Sequence, residues 1–321
     1  MDAQRRLISQ LLLGSAFFPS LSACRSDKPL QVASHIWPGY EFMYLARNEG
    51  LLDTNKVRLQ ETKSASDNLQ ALHSGAVQAA ALTLDELLMG RSQGLALSAV
   101  LVFNVSVGAD QVIARPEIRR LEDIRGKRVG AETTALGMLM LSKTLAAAGM
   151  TKNQIELVLV DANDPNAWDT QQLDVMLTYE PTATRLLKSG AHSLYSSRDF
   201  PDTIFDVLAV RTDTIEPFRE NLTHLLKGHF LGLQAFRENP VDTSYRLARR
   251  LQVDGQQVGG LYRGLQLPDL AANRNFLTAP AQRLNSAAKE INQILLQSGY
   301  LDRPVNLEQL ATADYLPRSL S

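Results

Sequence analysis

The chain has 321 residues, 45% of them hydrophobic, enough for one large or two ordinary domains around a sizeable core. Its 33 basic and 34 acidic residues nearly cancel, so the broad cationic face that a phosphate backbone demands is lacking and nucleic acid is not an expected partner. No 20 to 50 residue self-similarity or low-complexity stretch recurs, which argues against a solenoid.

Residues 1–24 read differently from the rest. Arg5 and Arg6 precede an apolar stretch over 7–18, followed by Pro19-Ser20-Leu21-Ser22-Ala23-Cys24. Charge, then apolar residues, then small ones is the order of a secretory leader. The stretch is shorter than the roughly 20 apolar residues of a membrane helix, and no later segment approaches that length. Leu21-Ser22-Ala23-Cys24 resembles the bacterial lipobox, which implies a leader over 1–24 and lipidation of Cys24; the alternative is an ordinary leader with a chance cysteine. Cys24 is the only cysteine, so a disulfide within one molecule is excluded.

After a polar tether over 25–29, apolar runs alternate with helical patterns, which predicts sheets covered by helices on both faces. Strands are expected over 30–37, 57–61 and 77–82, with helices over 41–51 and 66–74 between them. Two more apolar runs, 95–103 and 111–114, are separated by a polar piece, 104–110, where the chain can leave a first lobe. The count then restarts with strands over 127–131, 157–160 and 174–178 and an alanine-rich helix over 136–148. A returning strand is expected over 205–210. Helices over 216–238, 241–251 and 279–297 complete the chain, the first two separated by Asn239-Pro240.

Ile36-Trp37-Pro38-Gly39-Tyr40, Tyr44-Leu45-Ala46, Glu49-Gly50-Leu51, the segment 121–130, Tyr179-Glu180-Pro181 and Asn239-Pro240 occur in that order. Together they resemble the sulfonate, nitrate and thiamine-pyrimidine-precursor branch of the type II periplasmic solute-binding proteins. The resemblance implies an α/β fold of two lobes, each a mixed, mostly parallel sheet flanked by helices. It also implies crossovers near 105–112 and 200–208, a small ligand held between the lobes, and an ABC transporter permease as partner. The corresponding division gives 25–107 and 206–321 to one lobe and 108–205 to the other. The chain is expected to act as a monomer, touching the membrane through its anchor alone.

In open α/β sheets ligands settle at the carboxyl ends of strands, where loops run into helix starts. Trp37 and Tyr40 flank a Pro-Gly turn; they either stack on a planar ligand or pack in the core. Ser64, Ser66, Asp67, Thr83 and Asp85 stand at expected helix starts, where capping is their ordinary role and ligand contact a compatible second one. Thr83-Leu84-Asp85-Glu86 fits a capping box. Thr133 and Thr134 open the alanine-rich helix, where free N–H groups and a hydroxyl can receive an acceptor. Glu180 of Tyr179-Glu180-Pro181 either accepts from a ligand amine or stabilises a helix start.

Glu41, Asp67, Asp85, Glu132 and Glu180 make these loops acidic, against Lys63 as the one base placed nearby. Hard anions usually recruit arginine, whereas aromatics with carboxylates suit an amine or a nitrogen heterocycle. Trp168 is expected to cover its own lobe rather than reach the ligand. The five histidines show no metal-ligand spacing, so no metal or cofactor is expected. No nucleophile elbow, phosphate-cradling glycine loop or Cys-His pairing supports an enzyme. A receptor-docking sensor remains one alternative to a transport component, since both need a ligand-stabilised closed state, and a biosynthetic enzyme of the same fold is the second and less favoured one.

Overall fold

The structure, a computed structural model, describes residues 28–278 and 282–320; the expected leader and Cys24 lie outside them. Among the described residues the apolar runs become eleven strands. These are β1 (Leu30–Ser34), β2 (Val57–Glu61), β3 (Ala79–Thr83), β4 (Leu97–Ser106), β5 (Gln111–Ala114), β6 (Arg128–Ala131), β7 (Glu156–Leu159), β8 (Val175–Thr178), β9 (His192–Ser196), β10 (Phe205–Arg211) and β11 (Leu265–Gln266). They form two sheets, ordered β11-β4-β10-β3-β1-β2 and β7-β6-β8-β5-β9, each flanked by helices. Every residue of β3 and β4 is buried. A strand covered on both faces reads as an unbroken apolar run, which is why these two were visible in the sequence. At the sheet edge, β2 turns Arg58, Gln60 and Glu61 to solvent, charges that discourage pairing with another chain.

The sheets are mixed, as expected, but parallel pairing does not predominate. Four ladders are parallel, joining β1 to β2 and β3 and joining β6 to β7 and β8. Five are antiparallel, joining β10 to β3 and β4, β11 to β4, and β5 to β8 and β9. Four of these five involve β5 or β10, which bring the chain into each lobe from the other; no crossover helix precedes them to turn them parallel. The run over 30–37 leaves the sheet after Ser34, because Trp37-Pro38-Gly39-Tyr40 makes a turn with Pro38 at its first helical position. Five elements had no clear signature in sequence: β9, the two-residue β11, and the helices Ala167–Thr170, Gly255–Leu261 and Leu270–Leu277. β9, His-Ser-Leu-Tyr-Ser, is a half-exposed edge strand with little apolar content.

The chain passes between the sheets twice, through 107–110 after β4 and through 197–204 before β10. β4 and β10 are antiparallel neighbours with Phe205 opposite Val105, so the two passages run side by side. They are also stitched together. The Ser106 N–H donates to the Ile204 carbonyl and the Ser197 N–H to the Asp110 carbonyl, both at 2.9 Å. The Gly108 N–H donates to Ser197 Oγ at 2.7 Å.

The helix Arg219–Glu238 lies on the helix Glu41–Asn48. A β-carbon at Gly232 would stand 2.5 Å from the Phe42 carbonyl oxygen, so only glycine permits this approach. The helix Gln282–Gln297 packs on both Leu84–Ser92 and Ala135–Ala147, one beside each sheet, and Glu290 pairs with Lys143.

Candidate functional site

β1, β3, β6 and β8 all deliver their carboxyl ends to one cleft of about 640 Å³ between the sheets. That volume lies in the range of small-molecule sites. On one wall, the Trp37 indole N–H donates to Asn104 Oδ1 at 3.0 Å. The Asn104 amide donates to Asp206 Oδ2 at 2.6 Å, and the Tyr40 hydroxyl donates to Asp206 Oδ1 at 2.5 Å. Gly39 makes the arrangement possible, since a β-carbon there would fall 1.9 Å from Asn104 Oδ1. On the opposite wall Glu132 accepts from the Thr134 hydroxyl at 3.0 Å, and from the Ala162 N–H and the Tyr179 hydroxyl, each at 3.2 Å. The walls meet where Trp37 and Tyr179 stand edge to face, their ring centres 5.7 Å apart.

Of the residues singled out in sequence, Trp37, Tyr40, Ser64, Thr83, Thr133, Thr134 and Tyr179 line this cleft. Several also fill their alternative role. Ser64 Oγ accepts the Asp67 N–H at 3.2 Å, and Thr134 Oγ1 accepts the Gly137 N–H at 3.0 Å. Trp37 and Tyr40 are almost wholly buried, at 5% and 0% exposure, so each is at once core and cleft wall.

The other four lie elsewhere. Ser66 faces solvent. Asp67 accepts the Lys63 N–H at 3.1 Å. Asp85 is fully buried without reaching the cleft, and neither of its carboxyl oxygens has a hydrogen-bond partner. Glu180 turns to its own helix, taking the Thr184 N–H at 3.2 Å and hydroxyl at 2.9 Å. Trp168 is buried with Ile113, Met176 and Leu186 in its own lobe, the Arg115 guanidinium 4.9 Å over its ring. Glu41, named among the loop acids, is buried in an ion pair with Arg250 at 2.9 Å.

Sequence reasoning missed His35, Glu86, Asp110, Asn163, Arg185 and Asp206 as cleft residues. Glu86 was legible only as the capping-box partner; its Oε2 does accept the Thr83 N–H at 2.8 Å, and its side chain borders the cleft as well. Asp110 ends the first inter-sheet passage and Asp206 is the second residue of β10, where no strand-to-helix loop marks them.

The charge of the cleft is uneven. Glu86, Asp110 and Asp206 are buried in it, whereas the cations that line it, Lys63 and Arg185, are exposed. Burial pushes the Asp206 carboxyl up to about 7, with the charges of Asp110 and Asp85 adding to it against the hydrogen bonds from Tyr40 and Asn104. Burial likewise raises Asp110 to about 6 and Asp85 to about 7, and lifts Glu86 and Glu132. His35 is pushed down to about 4, by burial first and the Arg250 charge second, and is therefore neutral. Asp110 Oδ2 is buried without a hydrogen-bond partner, an uncommon and costly condition that a donor entering the cleft would relieve.

Two sheeted lobes joined by paired passages, around a polar cleft at the carboxyl ends of their strands, define the two-lobed type II periplasmic-binding-protein fold. The periplasmic aliphatic sulphonate binding protein SsuA from Escherichia coli has the same fold, with a TM-score of 0.74 and 16% identity over 89% of this chain and 98% of that one. So does the desulfurization enzyme DSZB, with a TM-score of 0.64 and 16% identity over 90% and 97%; the fold alone does not separate capture from catalysis. The chain belongs to the NMT1/THI5 like family, which matches residues 37–243. The taurine-binding periplasmic protein of Escherichia coli (strain K12) is 24% identical over 252 residues, 76% of this chain and 78% of that protein.

Proposed function

We propose that this chain is the extracytoplasmic solute-binding component of an ABC importer. It closes its lobes on a small amine or nitrogen heterocycle, acts as a monomer, and passes the solute to a permease without turnover. One observation carries the choice of solute: carboxyls are buried in the cleft while its cations stay at the exposed rim. A positive ligand supplies the missing countercharge in a poorly hydrated site, and Trp37, Tyr40 and Tyr179 offer aromatic surface to a planar one. The relatives named for taurine and aliphatic sulphonate support the importer role. Among the described residues no cleft hydroxyl is hydrogen-bonded to a histidine, which favours capture over nucleophilic catalysis. Residues 25–107 with 206–321 are read as one lobe and 108–205 as the other. The strands support this division, with Phe205 alone one residue outside it.

Calorimetric titration with amines, pyrimidines, nitrate and amine-free alkanesulfonates tests the solute. Heat is expected with the nitrogen bases, and Asp110→Asn should weaken that binding about tenfold or more, the usual scale for a hydrogen bond to a charged group. Tight nitrate or alkanesulfonate binding, with amines silent, reverses the reading. Lipidation at Cys24 belongs to the same proposal, and an unmodified Cys24 at the mature amino terminus by mass spectrometry rejects that part.

A further inference from the structure

Beside the acidic cleft lies a second chamber of about 600 Å³ whose charge is the opposite. The helix Thr182–Lys188 and β9 contribute one side of it and the helix Gly255–Leu261 the other, with Gly108 and Ala109 of the inter-sheet passage between. Arg185, Lys188 and Arg198 line it from one lobe and Arg263 from the other. None of the four forms an ion pair within 4 Å among the described residues, whereas Arg115, Arg128 and Arg211 do. The chamber's carboxylate, Glu180, is already engaged by Thr184. Four cations around one cavity outnumber its single carboxylate, Glu180, which feels the charge of Lys188, and an anion held between them removes the repulsion that remains. Pro181, Arg185 and Gln252 line both chambers, so the two share a boundary.

We propose that this second chamber is an oxyanion subsite that holds a phosphate-class group between the two lobes. Three guanidinium forks and one ammonium match a doubly charged, multi-oxygen anion better than a single carboxylate. Because the chamber draws cations from both lobes, its occupant favours their approach, as a solute in the acidic cleft does. The inference extends the proposed capture of a solute between lobes. The group arrives either as free phosphate or as the phosphate ester of a nitrogen base whose other end lies in the acidic cleft.

The experiment titrates the full chain and its Arg198→Gln/Arg263→Gln variant with inorganic phosphate, ethanolamine, phosphoethanolamine, cytidine and cytidine monophosphate. Both arginines are exposed, and circular dichroism checks that the variant folds. Phosphate binding that falls about tenfold or more in the variant establishes a free-anion site. Silent phosphate, with a phosphate ester binding at least tenfold tighter than its parent base and that advantage lost in the variant, establishes a carried group. The proposal is overturned if phosphate is silent and the esters gain nothing, or if the gain survives in the variant. Binding of the unesterified bases should be equal in both proteins. Its absence from both counts against the nitrogen-base reading and leaves the phosphate titration to decide this one.

Discussion

Gln252 closes the helix Pro240–Leu251 in a left-handed conformation, φ 56° and ψ 37°, at the boundary of the two chambers. A residue with a β-carbon pays roughly 1 kcal/mol there, a position that glycine fills without strain. Strained residues that persist beside a cleft point to a role for their side chain. Gln252→Gly is therefore expected to raise stability by about 1 kcal/mol in denaturant unfolding while weakening ligand binding several-fold by calorimetry. Unchanged affinity would make the glutamine a helix cap and nothing more. At this scale the sequence was partly legible. Trp37-Pro38-Gly39-Tyr40 announced an aromatic turn, because its residue types dictate one. Asp110 and Asp206 did not stand out, because a lone aspartate beside a strand looks the same whether it faces water or a buried cleft.

Among the elements, the pair Glu41–Asn48 and Arg219–Glu238 sets the position of the turn that carries Trp37. Gly232→Ala forces a β-carbon against the Phe42 carbonyl and should cost about 1–3 kcal/mol, visible as a lower unfolding midpoint. Gly228→Ala, one turn away, meets Ala46 Cβ at an ordinary 3.4 Å. There the gain in helix propensity should leave stability equal or better, by up to about 1 kcal/mol. Equal losses at both sites would contradict the close approach. Elements buried on both faces, such as β3 and β4, declared themselves by unbroken apolar runs. β9, β11 and the short late helices owe their existence to neighbours rather than to their own patterning, and tertiary context of that kind is invisible in a single chain.

For the molecule as a whole, buried carboxyls make stability depend on pH. Asp85 and Asp206 are raised to about 7 and Asp110 to about 6, chiefly by burial, whereas the unfolded chain releases such protons near pH 4. Lowering the pH from 8 to 6.5 thus loads the folded state with protons the unfolded state does not take up, and stability should rise. Below about 6.5 the unfolded histidines protonate while buried His35, at about 4, and His229, at about 3, do not, which works in the other direction. Scanning calorimetry of the ligand-free chain should show a higher melting temperature at pH 6.5 than at pH 8; a flat or falling trend would refute the burial argument. Affinity for a cationic solute should move oppositely, dropping as the carboxyls lose their charge between pH 8 and 6. The two-sheet plan was readable from the restart of the strand count after residue 110. The near balance of parallel and antiparallel pairing was not, since it depends on the direction in which β5 and β10 arrive.

Those two passages, lying shoulder to shoulder and pinned by the Ser106, Asp110 and Ser197 contacts, restrict how the halves can part. A single strap permits swivelling; two adjacent ones act like a pair of pins through a door leaf, allowing a swing and resisting a turn. Movement between the halves is therefore expected to follow one principal coordinate, which one pair of labels placed across the gap would report from shut to ajar.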